Sequence, residues 1–493
     1  MVPKTRSLTR KEVPSFSGGI FFALIGLPTA PAAALIGLLS VPATLGAQGL
    51  RVGLGERFTS ISEAIALAGD GDTIVVTAGT YHERLLVERP VALVGEDWPV
   101  LDGDGGGHVI EAHASLYLRG FVIRGSGSSV DQEHAGVMIR DAAAHIEDNR
   151  LQDVYYGIYL KNASGSVVRG NRIEGKPFPP PRRGDGIRLW YSSNSRILDN
   201  RVIGTRDVVV FFSDSLLVRG NVIERGRYGL HYMYSDHNVF ERNRFDGNEV
   251  GAFLMYSADI LLHENVFANS TGSTGMGLGL KDADAIRVTG NLFVGNRIGI
   301  HLDNSPSSVS GRNVFTENLL LGNQAAVRLL PSVRANDFVG NDFVDNGSPV
   351  VVAGGANRGQ AARNLWARNY WSEYAGFDQN ADGLGDTPFL HARLADDLLS
   401  RHPALGLFAL SPALGVLEVI SRFFPFLKPE PVVVDSVPRV ATKQLERWTS
   451  SEGIRGAENA GTIQVERWLA VPWLLLGAVA GGALWRVARG RRS

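Results

Sequence analysis

The sequence contains no cysteine among its 493 residues. Disulfide bonds, thiolate zinc sites and a lipid-modified cysteine behind a signal peptide are therefore excluded. A site for a soft metal has to use methionine, histidine or carboxylate, and the chain has only 5 Met and 11 His. The formal net charge is −1. Because there is no basic excess, we expect no nucleic-acid partner.

Glycine, by contrast, is abundant. The chain has 58 glycines, and Asn-Gly, Asp-Gly and Gly-Asn pairs recur along it. Such pairs mark tight turns. The composition therefore favours a turn-rich β protein over a helical one.

Both ends of the chain carry apolar segments beside basic residues. A basic segment followed by an uncharged one predicts export, through a signal peptide or an N-terminal anchor over residues 1–49. Near the other end, "WLAVPWLLLGAVAGGALW" has tryptophan at both ends and a basic flank. This pattern predicts a transmembrane helix over residues 468–486 and a basic cytoplasmic tail over residues 487–493. We therefore expect a membrane-anchored protein with both termini in the cytoplasm and the part between them outside it.

A ladder of asparagines divides the middle of the chain. Its members are Asn149, Asn171, Asn200, Asn221, Asn243, Asn265, Asn291 and Asn313, separated by 22, 29, 21, 22, 22, 26 and 22 residues. A glycine lies fourteen residues before most of them, and Asp207 occupies that place in one repeat. A fixed period in the low twenties is typical of a solenoid.

The repeats align as short β-strands. Examples are "GIRLWYS", "GLHYMYS" and "GAFLMYS", in which the first and third residues after the glycine are mostly apolar and the second and fourth vary. This period of two indicates one buried and one exposed face. The unit is too short for a βαβ element, and a β-propeller repeat needs ~40 residues. The repeats therefore predict an all-β fold, a right-handed parallel β-helix with coils of about 22 residues.

The repeat assigns residues 50–400 to the β-helix domain, with a capping segment at each end. Residues 60–76 indicate a short helix capped by Ser60, then a turn and the first strand. Residues 364–389 break the period, are rich in Trp and Tyr, and are expected to cover the last coil. Residues 401–467 lose the repeat and are Pro-rich, which predicts a tether to the transmembrane helix.

A strip of unusual residues lies on the predicted outer face. His231 and Met233 occupy the second and fourth positions after a repeat glycine, and the next coil has Phe253 and Met255 there. Adjacent coils are ~4.8 Å apart, so the two methionines are expected to stack. The apolar side chains expected to dock a partner around them are Trp190, Phe211 and Phe253.

Two interpretations of this strip remain open. Thioether and imidazole ligands without thiolate suit Cu(I), and aromatic neighbours would keep such a site dry. Alternatively, the strip docks a partner protein or another segment of this chain, as exposed apolar patches often do. The residues alone favour docking over metal binding.

Two further patterns point to other sites. In "DQNADGLGD", Asp378, Asn380, Asp382 and Asp386 resemble the first half of a calcium loop, although the closing Glu is missing. An Asx-rich turn without an ion is the alternative.

A polysaccharide-active enzyme would need converging carboxylates or basic groups in one groove. The candidates Asp207, Asp303, Lys281 and Arg188 are instead scattered among Met and Phe. An enzyme is therefore disfavoured.

Several segments together resemble the NosD family of nitrous oxide reductase maturation proteins, over about residues 50–400. They are "RYGLHYMYS", "GAFLMYS", "AGDGDTIVVTAGTYHERLLVERPVALVGE" and "NYWSEYAGFDQNADGLGDTPF". The resemblance implies a periplasmic accessory factor, without established catalytic activity, that handles copper for the copper-sulfur cluster of that enzyme. It implies an ABC transporter, nitrous oxide reductase and a copper donor protein as partners.

The resemblance places copper handling ahead of docking. It implies transient Cu(I) at His231, Met233 and Met255, which lie in the segments that carry the resemblance. Two features depart from the family pattern. One is the predicted C-terminal anchor, and the other is Asp207 in a glycine position.

Overall fold

The computed structural model describes residues 49–355, 359, 362–402, 404–405, 411–424, 427 and 429–449. In these residues the chain winds into a right-handed parallel β-helix, in which successive coils add strands to three sheets of 16, 12 and 13 strands. All strand pairings are parallel except the one that involves Phe389–His391. The fold predicted from the repeats is confirmed.

Each sheet is built from strands of two to six residues. Sheet 1 contains Leu50–Val52, Asp72–Val76, Val91–Gly95, Leu116–Arg119, Ala144–Glu147, Val167–Arg169, Arg196–Leu198, Leu217–Arg219, Val239–Glu241, Ala258–His263, Asp284–Thr289, Asn313–Thr316, Asn336–Val339, Leu365–Ala367, Val433–Asp435 and Phe389–His391. Sheet 2 contains Leu85–Val87, Ile110–Ala112, Ala135–Arg140, Tyr156–Lys161, Ile187–Trp190, Asp207–Phe211, Tyr228–Met233, Val250–Met255, Met276–Lys281, Ile298–Asp303, Ala325–Leu329 and Ser348–Val352. Sheet 3 contains Thr80–Tyr81, Val100–Asp102, Val122–Arg124, Arg150–Val154, Arg172–Gly175, Arg201–Ile203, Val222–Glu224, Arg244–Asp246, Val266–Ala268, Leu292–Val294, Leu319–Leu321, Asp342–Val344 and Tyr370–Trp371.

Helices occur at the two ends of the described solenoid. They are α1 (Ile61–Leu67), α2 (Leu394–Arg401), α3 (Pro412–Phe423) and α4 (Gln444–Thr449). Short 3₁₀ turns occur at Pro180–Arg182, between two coils, and at Ala353–Gly355. The Ser60 hydroxyl caps α1 by accepting the Glu63 N–H, as the sequence predicted. The buried side of α1 joins the core of the first coils.

The core is a continuous filling of apolar side chains inside the coils. The rings of Phe245, Phe267 and Phe293 stack along the axis with centroids 5.1 and 4.9 Å apart. The repeat glycines are needed because neighbouring coils touch there. A Cβ on Gly251 would lie 2.4 Å from the carbonyl oxygen of Gly277.

The asparagine ladder is a chain of buried amide hydrogen bonds. The Asn221 N–H donates to Asn243 Oδ1 (3.0 Å), and the same contact repeats from coil to coil. The prediction of Asn313 as the next rung after Asn291 was wrong, because Asn291 donates to Asn318 instead. Asn313 belongs to a neighbouring ladder and donates to Asn336 Oδ1. A longer loop before Asn313 shifts the repeat.

The predicted tether is in part folded onto the last coils. Val433–Asp435 joins sheet 1, and the buried Asp435 carboxylate accepts hydrogen bonds from the Asn369 backbone N–H (3.0 Å) and the Trp371 indole (3.1 Å). Asp342 forms an ion pair with Arg439 and caps α4. Residue 400 is therefore not the end of the folded domain.

The predicted membrane segments lie largely outside the described residues. These are residues 1–49, except Gly49, and residues 468–486 and 487–493. Within the described part of the chain, no helix is long and apolar enough to cross a membrane.

Candidate functional site

The outer face of sheet 2 carries the predicted strip, and its register is as expected. Val209, His231 and Phe253 align in one column across adjacent strands. In the next outward column, Met233 aligns with Met255. The side chains of these two columns other than Val209 are half-buried; they are His231, Phe253, Met233 and Met255. The inward residues between them, such as Tyr232, are fully buried.

A buried carboxylate lies behind His231. The His231 Nδ1 atom is 3.4 Å from Asp207 Oδ2. The ring stacks on Tyr228 at 4.9 Å and meets the edge of Phe211 at 5.0 Å between centroids. When Nδ1 carries the proton and donates it to Asp207, the lone pair on Nε2 is free to bind a metal.

Asp207 is fixed from several sides. Its carboxylate also accepts hydrogen bonds from Arg227. Burial alone would raise the pKa of Asp207, but the hydrogen bonds from His231 and Arg227 hold that pKa below its usual value. Asp207 holds the repeat-glycine position against the preceding coil, where it accepts the Gly186 N–H on its backbone oxygen, but a register shift pairs it with Tyr228 on the following coil. The sequence analysis identified Asp207 as unusual but did not predict its contact with His231.

A third methionine, Met276, lies on the same sheet but outside the column of Met233 and Met255, because it pairs with Val250. Met276 lies in the strand after Val250–Met255, and its sulfur is 2.9 Å from the position that a Cβ would take on Gly279. The Phe253 ring covers the same glycine. Every methionine of the described residues thus belongs to sheet 2, the fourth being Met138. Sequence reasoning missed Met276 because it precedes the repeat glycine, where the inward–outward alternation is interrupted.

His301 continues the His231 column beyond Gly279. It pairs with Gly279 on one side and with Arg328 on the other. Its Nδ1 atom is buried and has no hydrogen-bond partner. Burial and the Arg328 cation lower the pKa of His301 to about 4, so the imidazole is neutral at physiological pH.

Part of the apolar strip is already covered by the chain. Phe178, from the Pro-rich loop, and Trp190 pack against an outer cluster that includes Tyr156 and Tyr159. Phe211 contacts the edge of Trp190 at 6.0 Å. Of the predicted docking residues, Trp190 therefore belongs largely to an intramolecular contact, whereas Phe211 and Phe253 surround His231 and Gly279.

An aromatic ladder runs beside the methionines. Its members are Tyr191, Phe212, Tyr234 and Tyr256, whose rings stack at 4.8, 5.3 and 5.1 Å. All four residues have left-handed backbones, with φ between 50° and 52°. Other coils place Asn162 and Asn304 at the equivalent turn. Because aromatic side chains disfavour this conformation, the ladder is a locally strained feature that exposes ring edges.

Of the two carboxylates considered for an enzymatic role, Asp207 has a basic partner. Asp207 is paired with Arg227, as described above. Arg188 is bound to the fully buried Asp185 at 2.8 Å, and Arg206 holds the other oxygen of Asp185 at 3.0 Å. These groups form a closed ion-pair network behind the strip.

The predicted calcium loop is closed by its own backbone. Asp378 Oδ2 accepts the Gly383 N–H at 2.8 Å, and Asp386 Oδ2 accepts the Gln379 N–H at 2.6 Å. Asn380 and Asp382 accept backbone N–H groups in the same loop. These contacts are those of the Asx-rich alternative. Calcium binding stays a prediction.

Comparison with known proteins gives relatives of this chain. Residues 170–376 match the family model described as "Periplasmic copper-binding protein (NosD)". A protein of Pseudomonas aeruginosa named "Probable ABC transporter binding protein NosD" is 29% identical over 79% of this chain and 93% of its own length. Its namesake from Stutzerimonas stutzeri is 30% identical over 73% of this chain and 85% of its own length.

Among solved structures, the chain is similar to the A-module of mannuronan C-5 epimerase AlgE4 from Azotobacter vinelandii. The identity is 15% and the TM-score 0.41, over 59% of this chain and 91% of that chain. Both relatives from sequence comparison are named as binding proteins. At 30% identity over most of both sequences, the chain belongs to the NosD family.

Proposed function

We propose that this chain is a periplasmic accessory factor that handles Cu(I) during maturation of nitrous oxide reductase. Its partners would be an ABC transporter, the reductase and a copper donor protein, with residues 468–486 as the inner-membrane anchor. The observation that supports this most is the register of His231, Met233 and Met255 on one outer face. Family membership supports the same chemistry.

The geometry suits a soft monovalent cation as cargo. Asp207 fixes the proton on His231 Nδ1, which leaves Nε2 as the ligand atom. The thioethers of Met233 and Met255 lie on adjacent coils, so an ion could pass between them by exchange of one ligand at a time. Aromatic neighbours limit the access of water, which favours Cu(I) over harder ions.

An anaerobic Cu(I) titration of the full-length chain against a competing chelator tests this proposal. We expect the wild type to bind and His231→Ala/Met233→Leu/Met255→Leu to lose its tightest site. Met138→Leu/His113→Ala is the matched control, because it removes one methionine of the same sheet and one exposed histidine outside the strip. Equal binding by wild type and the triple variant would contradict the proposal.

A docking scaffold without metal is the second candidate, and the aromatic ladder favours it. Replacing Tyr191, Phe212, Tyr234 and Tyr256 by Asn, which other coils use at this turn, should preserve the fold. If docking is the function, capture of the ABC transporter is lost in this variant and persists in the triple variant above. Copper binding that depends on the strip, with transporter capture unchanged by the ladder, would reject this alternative.

A further inference from the structure

Helix α3 carries its apolar residues on the side that faces away from the solenoid. Leu414 and Ser421 are buried, whereas Phe423 is 76% exposed. The Phe424 N–H donates to Ile420 O at 3.1 Å, so the helical turn continues past Phe423. Other exposed apolar residues recur at intervals of three and four residues and share the side of Phe423; they are Val416, Leu417, Val419, Ile420, Phe424 and Leu427. Together with Phe423 they form the α3 face.

The polar side of α3 is the side that packs on the rest of the protein. Glu418 Oε2 accepts the Ala395 N–H of α2 at 3.4 Å, and the Ser421 hydroxyl donates to Glu418 O at 2.7 Å. Glu418 and Ser421 also line a cavity together with the buried His391. A surface helix of a globular protein normally buries its apolar stripe and exposes its polar one. Because α3 does the reverse, its apolar stripe is available to an apolar partner.

The position of α3 brings it to the C-terminal end of the solenoid. Helix α2 packs on Ser348–Val352, the last strand of sheet 2, and α3 packs on α2. The described chain ends at residue 449, and the predicted membrane helix begins at residue 468. The 18 residues 450–467 between them span at most ~60 Å even when fully extended. The anchor therefore keeps this end of the solenoid close to a bilayer.

The chemistry of the α3 face fits a lipid surface better than a protein. Its side chains carry no hydrogen-bonding group, whereas protein interfaces also contain about one hydrogen bond per 100–200 Å². Between Val419 and Pro429 the charged residues of the sequence are Arg422 and Lys428, both basic. An apolar helix side with basic residues near it in the sequence is typical of helices that lie in the interface of an anionic membrane.

We infer that the α3 face inserts into the surface of the bilayer that the proposed C-terminal anchor spans. This inference rests on the proposed function, from which it takes the anchor, and it adds a second membrane contact. His231 lies five strands before Ser348–Val352 in sheet 2, which is ~24 Å along the solenoid axis. With two contacts the solenoid holds the His231 strip at a defined distance from the bilayer, which a tether alone does not do.

Quenching of a single fluorophore by brominated lipid tests this inference. Because the chain has no cysteine, Val419→Cys gives one labelling position on the α3 face. The labelled full-length chain is reconstituted into vesicles of phosphatidylethanolamine and phosphatidylglycerol with brominated acyl chains. We expect the label to be quenched, at a depth of about 5–10 Å into the boundary between headgroups and acyl chains.

Val130→Cys is the matched control position. Val130 is 54% exposed and Val419 is 52% exposed, so the two labels start from equal access to solvent. Val130 lies just before Ala135–Arg140, which is nine strands from Ser348–Val352 in sheet 2, or ~43 Å along the axis. Its label should not be quenched by the brominated lipid.

A polar variant shows whether the apolar surface causes the insertion. Val416→Gln/Phe423→Gln, made in the Val419→Cys chain, should reduce the quenching to the level of the Val130 label. Both residues are exposed, so the fold should not depend on them. Leu86→Gln/Val130→Gln removes two exposed apolar residues near the other end of the solenoid and should leave the quenching of the Val419 label unchanged.

Flotation of the same vesicles separates this inference from the proposed anchor. If the chain floats with the vesicles and the Val419 label is not quenched, the inference is overturned and the proposed function stands. Equal quenching at both positions, or quenching that survives the Gln variant, also overturns it. An unquenched label that the ABC transporter shields from an aqueous quencher assigns the α3 face to a protein instead. A chain that does not float overturns the anchor and the inference together, whereas the Cu(I) titration still tests the copper site.

Discussion

At the scale of single residues, the orientation of His231 depends on a carboxylate that is itself out of reach of solvent. Asp207 is fully buried, and it contacts His231 and Arg227 at once. Such a carboxylate fixes the tautomer of a ligating histidine and raises its basicity. The metal affinity of the strip should therefore depend on a residue that does not touch the metal.

The first residue-scale prediction concerns this contact. Asp207→Asn should weaken Cu(I) at the tightest site by about 10- to 100-fold, because the amide does not hold the Nδ1 proton as a carboxylate does. Competition titration measures the loss. Arg227→Gln is the control, since it removes the ion pair of Asp207 and keeps the contact with His231. An affinity equal to wild type in Asp207→Asn would show that the contact has no role.

The outward residues of the strip were predictable from sequence, and their partners were not. Period-two alternation identified His231, Met233 and Met255, and the structure keeps all three on the outer face. The contact between Asp207 and His231 depends on a register shift, which residue spacing does not reveal. The position of the Met276 sulfur near Gly279 depends on the side-chain conformation, which the sequence does not give.

At the scale of elements, the asparagine ladder holds successive coils in register. Asn243 is buried, and its Oδ1 accepts the Asn221 N–H at 3.0 Å while its Nδ2 donates to Val218 O at 2.9 Å. Its side-chain amide also donates to Asn265 Oδ1 at 3.0 Å. One substitution therefore affects the coils on both sides.

Asn243→Ala should lower the free energy of unfolding by about 3 kcal/mol, because several buried polar groups lose their partners at once. Denaturant unfolding of the full-length chain measures this. Gln152→Ala, an exposed amide in a strand of sheet 3, is the control and should change stability by less than about 0.5 kcal/mol. Similar values for the two variants would refute a structural role of the ladder.

The aromatic ladder differs from the asparagine ladder, because its residues do not favour the backbone conformation that they adopt. Asn or Asp at the left-handed turn is predictable, because their side chains tolerate that backbone. Tyr234 and its neighbours keep the same turn without that advantage. Residues that break a local preference point to function, and here they adjoin the methionine column. Their left-handed backbone conformation was not predictable from the sequence, because it follows from their place at the ends of the strands.

At the scale of the whole molecule, the end of the solenoid is completed by distant sequence. The Asn ladder ends at Asn369, whose N–H and side-chain amide both donate to Asp435. A carboxylate oxygen thus takes the place of the next asparagine oxygen. The sequence assigned this segment to a tether because proline-rich composition conceals one short strand. Non-local pairing of this kind has no signature in the repeat.

Truncation tests whether the folded domain ends at residue 400, as the sequence predicted, or includes the segment up to residue 449. A chain that ends at residue 400 loses Asp435, leaves the indole N–H of Trp371 without its partner and exposes the edge of Leu365–Ala367. Open edges and uncapped solenoid ends promote association. We therefore expect this chain to aggregate and to unfold at lower temperature. A chain that ends at residue 449 should keep the wild-type midpoint, as measured by thermal unfolding and size-exclusion chromatography.

Substitutions at Asp435 in the intact chain show which part of the contact matters. Asp435→Asn keeps an oxygen that can accept from Asn369 and Trp371, so it should cost less than about 1 kcal/mol. Asp435→Ala removes the acceptor and should cost about 3 kcal/mol, because buried donors are left unpaired. If both substitutions are neutral while truncation at residue 400 is harmful, the cap acts through apolar packing of Val433 and α4 rather than through the ladder.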